Sequence, residues 1–363
     1  MTLKWEKVRL GDVAELQRGF DLPSTKRIEG EIPIVSSSGI TGFHVEAKAK
    51  APGVVTGRYG SIGDVFYLEQ DFWPLNTSLW VKDFHGNDEK FIYFLLSNFD
   101  FKKFSDKTGV PGVNRNDLHA VNVLLPPLSE QKKIAQILST WDKAISVTEK
   151  LLANSQRQKK ALMQQLITGK KRLLNENGVR FNGKWEKKLL SDVADVYQPK
   201  TISQSMMSDS GYPVYGANGV IGFYQEFNHE TEQIAVTCRG STCGIVNWTQ
   251  AKSWITGNAM VINTDNYSYV SKKFLFYTLN GSDLKYLISG SGQPQITGNI
   301  KTHIINLPCI EEQQKIATVL SAADAEIYTL EKKLACLRDE KKALMQQLLT
   351  GKRRVKVDEA VAE

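Results

Sequence analysis

The sequence predicts an α+β fold: two similar, mixed but mainly β domains separated by two long helices that form an antiparallel coiled coil, in a tandem repeat with pseudo-two-fold symmetry. Three observations predict it. The 363-residue chain contains one internal repeat. Each copy opens with short apolar runs between turn residues, which is typical of β-strands. Each copy closes with a long heptad pattern, which is typical of a coiled coil.

The composition is that of an ordinary globular protein. Hydrophobic residues make up 41%, charged residues 23% and aromatic residues 9% of the chain. No window approaches the roughly 18 apolar residues of a membrane-spanning helix, and the first residues lack the apolar core of a signal peptide. We therefore expect a cytoplasmic protein without membrane association. The four cysteines lack metal-ligand spacing, so we expect reduced thiols and no metal site: Cys238, Cys243, Cys309 and Cys336.

The internal repeat extends over nearly the whole chain. The segment Trp5–Lys7 recurs as Trp185–Lys187, at an offset of 180 residues. The closing segment KKALMQQLITGK from Lys159 matches KKALMQQLLTGK from Lys341 at 11 of 12 positions, at an offset of 182. Because the offset drifts so little, we interpret the chain as a tandem duplication of one unit.

The two mainly β domains are predicted at residues 1–125 and 173–307. Both are rich in Gly, Ser, Thr, Asn and aromatic residues, and their apolar runs are bounded by turn signals. One stretch in each domain has the apolar density and the length of a helix. These helices are predicted over Lys90–Phe104 and over Lys273–Leu287.

The two long helices are predicted at residues 126–172 and 308–354, followed by a flexible tail at 355–363. Each begins at a proline-and-acid signal, LPPLSEQ or LPCIEEQ, and each ends in Thr-Gly-Lys, where glycine can adopt the left-handed cap. At about 1.5 Å per residue, each helix is about 60 Å long. The predicted seam positions are Ile134, Leu138, Trp141, Ile145, Thr148, Leu152, Ser155, Lys159, Leu162 and Leu166, and then Ile316, Leu320, Ala323, Ile327, Leu330, Leu334, Leu337, Lys341, Leu344 and Leu348.

We expect these helices to pack antiparallel. In a parallel pair, the connection through the second domain would have to return about 60 Å to the start of the second helix. An antiparallel pair removes that return, and it places one domain at each end of the helix pair.

The positive charge is concentrated in the helices. The formal net charge is +7, and residues 129–172 carry 10 basic against 3 acidic residues. The domains are near neutral, with 15 basic and 16 acidic residues in 1–128 and 11 and 10 in 173–310. Two interpretations remain open for the basic runs: solvated faces that favour the helix dipole, or contacts to a polyanion. The runs are Lys159-Lys160, Lys170–Arg172, Lys341-Lys342 and Lys352–Arg354.

The sequence predicts no active site in this chain. The two Thr-Gly-Lys segments lack the upstream glycine of a phosphate-binding loop, and Gly57–Gly63 does not fit the dinucleotide fingerprint. The five histidines are scattered without ligand spacing, and no Asn-Pro-Pro-aromatic or Asp-Pro-Pro-aromatic run is present. A self-contained methyltransferase or nuclease is therefore disfavoured.

Polar loops at matched positions of the two domains are the candidate binding residues. Arg58 and Arg239 each follow an apolar strand; arginine binds guanine or phosphate, whereas Asn and Gln read adenine. The closing segments of the helices are nearly identical between the copies while these loops differ, as expected of a protein that recognises two different targets. The candidate DNA-binding residues are Ser37, Ser38, Arg58, Tyr59, Ser61, Asn76, Thr77, Asn114 and Arg115 in the first domain, and Tyr215, Asn218, Arg239, Ser241, Thr242, Asn258, Gln293, Gln295 and Thr297 in the second.

Four motifs resemble those of the specificity (S) subunits of Type I restriction-modification systems. They are WEKVRLGDVA from Trp5, GANGVIGFY from Gly216, LPPLSEQ from Leu125 and LMQQLLTGK from Leu344. The resemblance covers nearly the whole chain. The sequence departs from the family pattern in having Pro308-Cys309 where Pro-Pro is usual, and in having TGVPG at residues 108–112 where Gly-Gln-Pro is more usual.

The resemblance implies two target-recognition domains, each reading one half of an asymmetric bipartite site in double-stranded DNA. It implies that this chain has no catalysis and no cofactor of its own. Its implied partners are two modification subunits, which bind S-adenosylmethionine and methylate adenine. In the full complex they also include two restriction subunits, which are nucleases and translocases driven by ATP and Mg.

An alternative from another class is a cytosolic coiled-coil scaffold whose duplicated domains bind proteins or glycans. The near-neutral domains argue against tight independent DNA binding, because phosphate neutralisation supplies most non-specific affinity. The family picture answers this objection, since the modification subunits help to enclose the DNA.

Overall fold

The computed structural model describes residues 4–105, 112–217, 219–290 and 293–357. The chain divides into two compact units. Unit 1 comprises Met1–Glu149 with Lys332–Glu363, and unit 2 comprises Lys150–Glu331. Each unit therefore contains one mainly β domain together with part of each long helix, whereas the boundaries predicted from the sequence separate the domains from the helices.

Unit 1 is built on three small sheets. A four-stranded antiparallel sheet has the strand order β2-β8-β5-β6, a second sheet has the order β4-β3-β7 with β3 and β7 parallel, and β1 pairs with β9. The strands are β1 (Glu6–Arg9), β2 (Glu15–Arg18), β3 (Ile32–Ser36), β4 (Gly39–His44), β5 (Gly53–Gly57), β6 (Val65–Leu68), β7 (Trp73–Pro74), β8 (Ser78–Asp83) and β9 (Asn122–Leu125), and the short helices are α1 (Glu89–Ser97) and α2 (Arg115–His119).

The long helices α3 (Leu128–Ile167) and α6 (Ile310–Leu348) confirm the predicted coiled-coil segments. Every predicted seam position on both helices is buried or half-buried. A seam of this kind forms because apolar residues at heptad spacing fall on one face of a helix. Among the described residues, no helix combines the length and the apolar character needed to cross a membrane.

Unit 2 repeats the topology of unit 1. Its four-stranded sheet has the order β11-β17-β14-β15, its second sheet has the order β13-β12-β16, and β10 pairs with β18. The strands are β10 (Glu186–Leu189), β11 (Asp195–Tyr197), β12 (Tyr212–Gly216), β13 (Gly219–Tyr224), β14 (Ile234–Thr237), β15 (Val246–Trp248), β16 (Trp254–Ile255), β17 (Ala259–Asn263) and β18 (Ile304–Leu307), and the short helices are α4 (Leu190–Val193) and α5 (Lys272–Asn280).

The helices inside the β domains are shorter than predicted. Helix α1 ends at Ser97, and Phe101–Phe104 forms a separate 3-10 turn; helix α5 ends at Asn280, and Lys285–Leu287 forms another. An asparagine and a glycine, both poor helix formers, follow the last turns. The prediction of one uninterrupted helix through each of these stretches is therefore wrong.

Within each unit, the two long helices run antiparallel. In unit 1, Arg338 Nη2 lies 2.6 Å from Glu149 Oε1, and Lys341, further along α6, pairs with Asp142, which comes earlier on α3. The antiparallel packing predicted from the sequence is confirmed in each unit. In unit 2, Lys159 pairs with Asp324 at the positions equivalent to Lys341 and Asp142, and Ser155, earlier on α3, donates to Glu326, later on α6, at 3.0 Å.

Both long helices end in the predicted glycine cap. Gly169 and Gly351 have φ values of 70° and 71°, the left-handed region that costs a residue with a Cβ atom free energy. Two residues further on, the N–H groups of Lys171 and Arg353 donate back to the last helical turn at 3.1 Å each. The predicted caps are confirmed, and each cap turns the chain back towards the first strand of its unit.

Candidate nucleic-acid interface

In unit 1, Thr77 holds together three loops that the sequence marked as candidates. Its carbonyl accepts hydrogen bonds from the backbone N–H groups of Arg58 at 2.9 Å and Tyr59 at 3.2 Å. Its hydroxyl accepts from the Ser37 N–H at 3.4 Å. The Arg58 carbonyl in turn accepts from the Val113 N–H at 3.0 Å, which brings in the segment before α2. Residues distant in the sequence therefore share one surface.

The conformation of the loop after β5 depends on Gly57. A Cβ atom at this position would lie 1.9 Å from the Ser61 carbonyl oxygen, so no other residue fits without moving the backbone. The loop carries the half-buried Arg58, whose guanidinium lies 4.5 Å from the ring centroid of Tyr59. Stacking of this kind limits the motion of the arginine and leaves its N–H groups available to a ligand.

The remaining candidates of unit 1 lie around this cluster. The Asn114 side chain caps α2 by accepting from the Asn116 N–H at 3.0 Å, and Arg115 is exposed on the first turn of that helix. The Ser38 hydroxyl lies 3.0 Å from the Ser36 hydroxyl in the β3–β4 turn. Ser61 is half-buried beneath Gly57, and Asn76 precedes Thr77.

Unit 2 assembles the equivalent loops with different side chains. The Cys238 N–H donates to the Asn258 carbonyl at 3.0 Å, and the Cys238 carbonyl accepts from the Ile296 N–H at 3.0 Å. Arg239 and Gln295 form a backbone bridge. The side chains of Arg239, Asn258 and Gln295 are all exposed, so one surface presents a guanidinium and two carboxamides.

Other candidates of unit 2 differ in their access to solvent. Ser241, Gln293 and Thr297 are exposed. The Thr242 hydroxyl is half-buried and donates to the Ala217 carbonyl at 3.1 Å. Tyr215 is 7% exposed, and its hydroxyl accepts from the Gln250 N–H at 3.1 Å, so its ring belongs to the core of the domain. Asn218 lies outside the described residues.

Sequence reasoning missed a three-residue contact at the ends of the long helices, here called the end clamp. In unit 2, Arg172 donates to both carboxylate oxygens of Glu312 at 2.6 Å, and the Trp185 indole N–H donates to the same carboxylate at 3.1 Å. The Arg172 guanidinium lies 5.6 Å from the indole ring centroid. Hydrogen bonding to Glu312 raises the pKa of this arginine.

The end clamp of unit 1 has the same chemistry. Arg354 donates from Nε to Glu130 at 2.9 Å and also from Nη2, and the Trp5 indole N–H donates to Glu130 at 3.2 Å. The recurrence of Trp, Glu and Arg at matched repeat positions is the signal that could have revealed both clamps. Four residues of the basic runs are therefore ion-paired within the helix pair, which favours the structural interpretation for them: Lys159, Arg172, Lys341 and Arg354.

One group of described residues has ligand atoms close enough for a metal. Glu15, Asp83 and His85 place one ligand atom each within 4.8 Å of one another. Glu15 already pairs with Lys82 at 3.2 Å, and two of the three residues are exposed. Surface carboxylates commonly meet in this way without a metal, so we assign none.

Comparisons with known proteins agree with this architecture. The family model described as the Type I restriction modification DNA specificity domain matches residues 2–154 and 182–336, once in each half of the chain. The MjaVIII specificity subunit of Methanocaldococcus jannaschii is 26% identical over 97% of this chain and 93% of its own length. The putative MjaX specificity subunit of the same organism is 28% identical over 73% of this chain and 68% of its own length.

A solved structure shows the same fold. The Type I restriction-modification S subunit from M. genitalium is 17% identical, and the superposition has a TM-score of 0.73 over 96% of each chain. The resemblance predicted from the sequence motifs is confirmed. With two matches that together cover most of the sequence, the chain belongs to the family of Type I restriction-modification DNA specificity proteins.

Proposed function

We propose that this chain is the non-catalytic DNA-recognition subunit of a Type I restriction-modification complex, and that each unit reads one half of an asymmetric bipartite site. The observation that carries the proposal is the contrast inside the two candidate surfaces. Both are assembled by backbone hydrogen bonds that join the same three loops. Their exposed side chains differ, as expected if one scaffold reads two different base sequences.

The side chains on these surfaces suit base edges. Arginine pairs with the two acceptors of guanine, Asn and Gln pair with adenine, and a threonine methyl group contacts thymine. Unit 1 offers Arg58 and Thr77, whereas unit 2 offers Arg239, Asn258 and Gln295. We therefore expect the two half-sites to differ in sequence.

The proposed partners are two modification subunits, which bind S-adenosylmethionine, and two restriction subunits, which use ATP and Mg. Near-neutral domains supply little phosphate neutralisation, so a partner that surrounds the DNA would supply the missing affinity. We place the family's cofactors in those partners.

A matched apolar surface supports a partner present in two copies. The β3–β4 hairpin of unit 1 exposes Ile40 (54%) and Phe43 (50%), and the β12–β13 hairpin of unit 2 exposes Val220 (47%) and Phe223 (37%) at the same repeat positions. Exposed apolar patches commonly mark protein contacts. Since the base-reading loops differ while this surface repeats, we assign it to the modification subunit, one copy for each unit.

The test uses the chain together with a Type I modification subunit from the same genome. Long-read mapping of methyladenine in cells should show one asymmetric bipartite motif when both proteins are present, and none with either alone. Methyl transfer by the purified chain alone would contradict the proposal. A second arm combines Phe43→Ser with Phe223→Ser.

The double serine variant should lower recovery of the methyltransferase in pull-down by at least about tenfold, since buried aromatic contacts commonly dominate interfaces. Leu174→Ser, which changes another exposed apolar residue (49% exposed), is the matched control and should leave recovery unchanged. Equal recovery with the native chain, the double serine variant and the control variant would show that the methyltransferase docks elsewhere. Capture of a protein or glycan ligand without any DNA motif would favour the scaffold alternative.

A further inference from the structure

A further segment, outside these three loops, borders the candidate surface of each unit. It follows the second strand of the unit and is held at one end by a buried residue, Leu22 (8% exposed) in unit 1 and Ile202 (7% exposed) in unit 2, at an offset of 180 residues. Asp21 and Thr201 immediately precede these residues. The segment thus occupies the same place in both units and carries different chemistry.

In unit 1, backbone hydrogen bonds fix this segment beside Thr77. The Phe20 N–H donates to the Pro74 carbonyl at 2.8 Å, and the Asn76 N–H donates to the Phe20 carbonyl at 3.0 Å. Asn76 directly precedes Thr77, which holds the Arg58 loop. Asp21, the next residue after Phe20, therefore lies close to Asn76 and Thr77, which are both among the predicted binding residues.

Asp21 and Asn76 form a side-chain pair on this surface. Asn76 Nδ2 donates to Asp21 Oδ1, and Arg18 Nη2 lies 3.4 Å from the same oxygen. The Asp21 side chain is 67% exposed. A carboxylate has about four acceptor sites and an amide nitrogen has two donors, so the pair keeps a free acceptor and a free donor side by side.

Unit 2 lacks this pair. Gly257 stands where unit 1 has Asn76, and a Cβ atom there would lie 2.4 Å from Thr201 Oγ1 and 3.0 Å from the Pro199 carbonyl oxygen. Gln198 stands where unit 1 has Arg18, and its amide donates to the Gly257 carbonyl. The segment of unit 2 therefore carries no carboxylate between Gln198 and Ile202; its one charged residue there is the exposed Lys200, and no side chain projects from Gly257.

A carboxylate beside a DNA-binding surface is unfavourable unless it meets a donor. It repels the phosphates, and in the major groove the base donors are the amino groups of cytosine and adenine. Adenine also presents its N7 acceptor beside that amino group, which repels a carboxylate, whereas cytosine presents no acceptor on this edge. Asp21 is therefore suited to cytosine, and the free N–H of Asn76 is suited to O6 of the paired guanine.

We propose that Asp21, supported by Asn76, reads a C·G base pair in the half-site of unit 1. The inference rests on the proposed function as a DNA-recognition subunit. It predicts at least one C·G pair in that half-site. It also assigns the reading of that pair to a segment that lies outside the loops predicted from the sequence.

The test maps methylated motifs for the complex with its methyltransferase. Asp21→Asn and Asp21→Thr, the second being the residue of unit 2, should relax the requirement for one C·G pair, raising methylation at sites altered there about tenfold relative to the native site. The half-site of unit 2 should stay unchanged. Asp100→Asn removes another exposed carboxylate of unit 1, one that pairs with Lys103 at 3.4 Å, and should leave the whole motif unchanged.

Two results would overturn the inference while leaving the proposed function intact. One is a half-site of unit 1 that contains no C·G pair. The other is an unchanged motif with both Asp21 variants, whether or not total methylation falls, which would leave Asp21 only the structural role of holding Asn76. The absence of any bipartite motif with the native chain would instead overturn the proposed function.

Discussion

The two units share buried polar contacts where each domain meets the helix pair, whereas the exposed side chains of their candidate surfaces differ. The Gln131 amide donates to the Pro126 carbonyl at 2.9 Å in unit 1, and the Gln313 amide donates to the Pro308 carbonyl at 2.8 Å in unit 2. The same carboxamides accept from a backbone N–H before α1 and α5, at 3.0 and 2.8 Å. These polar groups are buried, where an unmade hydrogen bond is costly.

The candidate surfaces place fewer such demands on their side chains. Apart from the Thr77 and Thr242 hydroxyls and the close approach at Gly57, their loops are fixed by backbone N–H and carbonyl groups, which every residue except proline can provide. Arg58 and Asp21 of unit 1 can therefore be replaced by other side chains without loss of the fold, and unit 2 shows such a replacement at Thr201. The comparison teaches that buried side-chain hydrogen bonds hold the repeat constant, while backbone-held loops leave specificity free to change.

The largest expected effect comes from disrupting the end clamps, which are the same in both units. Glu312→Ala should lower the free energy of unfolding by about 3 kcal/mol, because it leaves Arg172 and the Trp185 indole N–H without their buried partner. Glu130→Ala should cost a similar amount through Arg354. Urea unfolding followed by tryptophan fluorescence measures both.

Glu311→Ala is the control for the clamp variants. Glu311 is exposed beside the buried Glu312 on the first turn of α6. Its loss should change the unfolding free energy by less than about 0.5 kcal/mol, as is usual for surface substitutions. A clamp variant as stable as this control would show that the end clamps do not hold the helix ends.

The second expected effect separates the two surfaces. Arg58→Ala should relax or weaken only the half-site of unit 1, and Arg239→Ala only that of unit 2, each by about 1–3 kcal/mol if the arginine contacts a base through two hydrogen bonds. Methyladenine mapping with each variant in the complex measures the change, and each variant serves as the control for the other. A uniform loss of methylation at every DNA sequence would instead indicate that the arginine contacts a phosphate. No loss of methylation would indicate that it has only a structural role in its loop.

Much of the fold could be predicted because its signals are local or periodic. The heptad positions and the Thr-Gly-Lys caps depend on residues within a few turns of one another, and both are confirmed. The ends of α1 and α5 were missed because apolar residues continue past Ser97 and Asn280, whereas the α-helical backbone ends there. Apolar side chains in the following 3-10 turns, such as Phe101 and Leu287, remain in the core without a helix.

The candidate site could be predicted only in part because its neighbours are remote in sequence. Arg58 and Arg239 stood out as charged residues after apolar strands, and the structure brings each beside the other loops of its unit. Asp21 is 55 residues from Asn76, so no local pattern connects them. Tyr215 is among the predicted residues, but its ring lies in a buried cluster with Ala235 and Ile255 of the neighbouring strands, a long-range contact that no local pattern reveals.

The smallest expected effect concerns a contact between the domain and the helix pair that differs between the units. Tyr277 in α5 is fully buried, and its hydroxyl donates to Asp324 Oδ2 at 2.6 Å; unit 1 has Phe94 at the matching position, with Asp142 on the facing helix. Burial and the adjacent carboxylate raise the pKa of Tyr277, so the hydroxyl keeps its proton and stays a donor at neutral pH.

Tyr277→Phe should therefore make unit 2 resemble unit 1 at the cost of one hydrogen bond to a charged acceptor. We expect a loss of about 1 kcal/mol, below the roughly 1.5–3 kcal/mol of such bonds, because Asp324 is partly exposed and keeps its pairing with Lys159. Amide hydrogen exchange measured by mass spectrometry should show faster exchange in α5 and unchanged exchange in α1. Phe94→Tyr is the reciprocal variant, and it should slow exchange in α1 only if Asp142 can accept the new hydroxyl beside Lys341. If Tyr277→Phe left exchange in α5 unchanged from the native chain, the polar contact of unit 2 would add nothing to the apolar packing that the two units share.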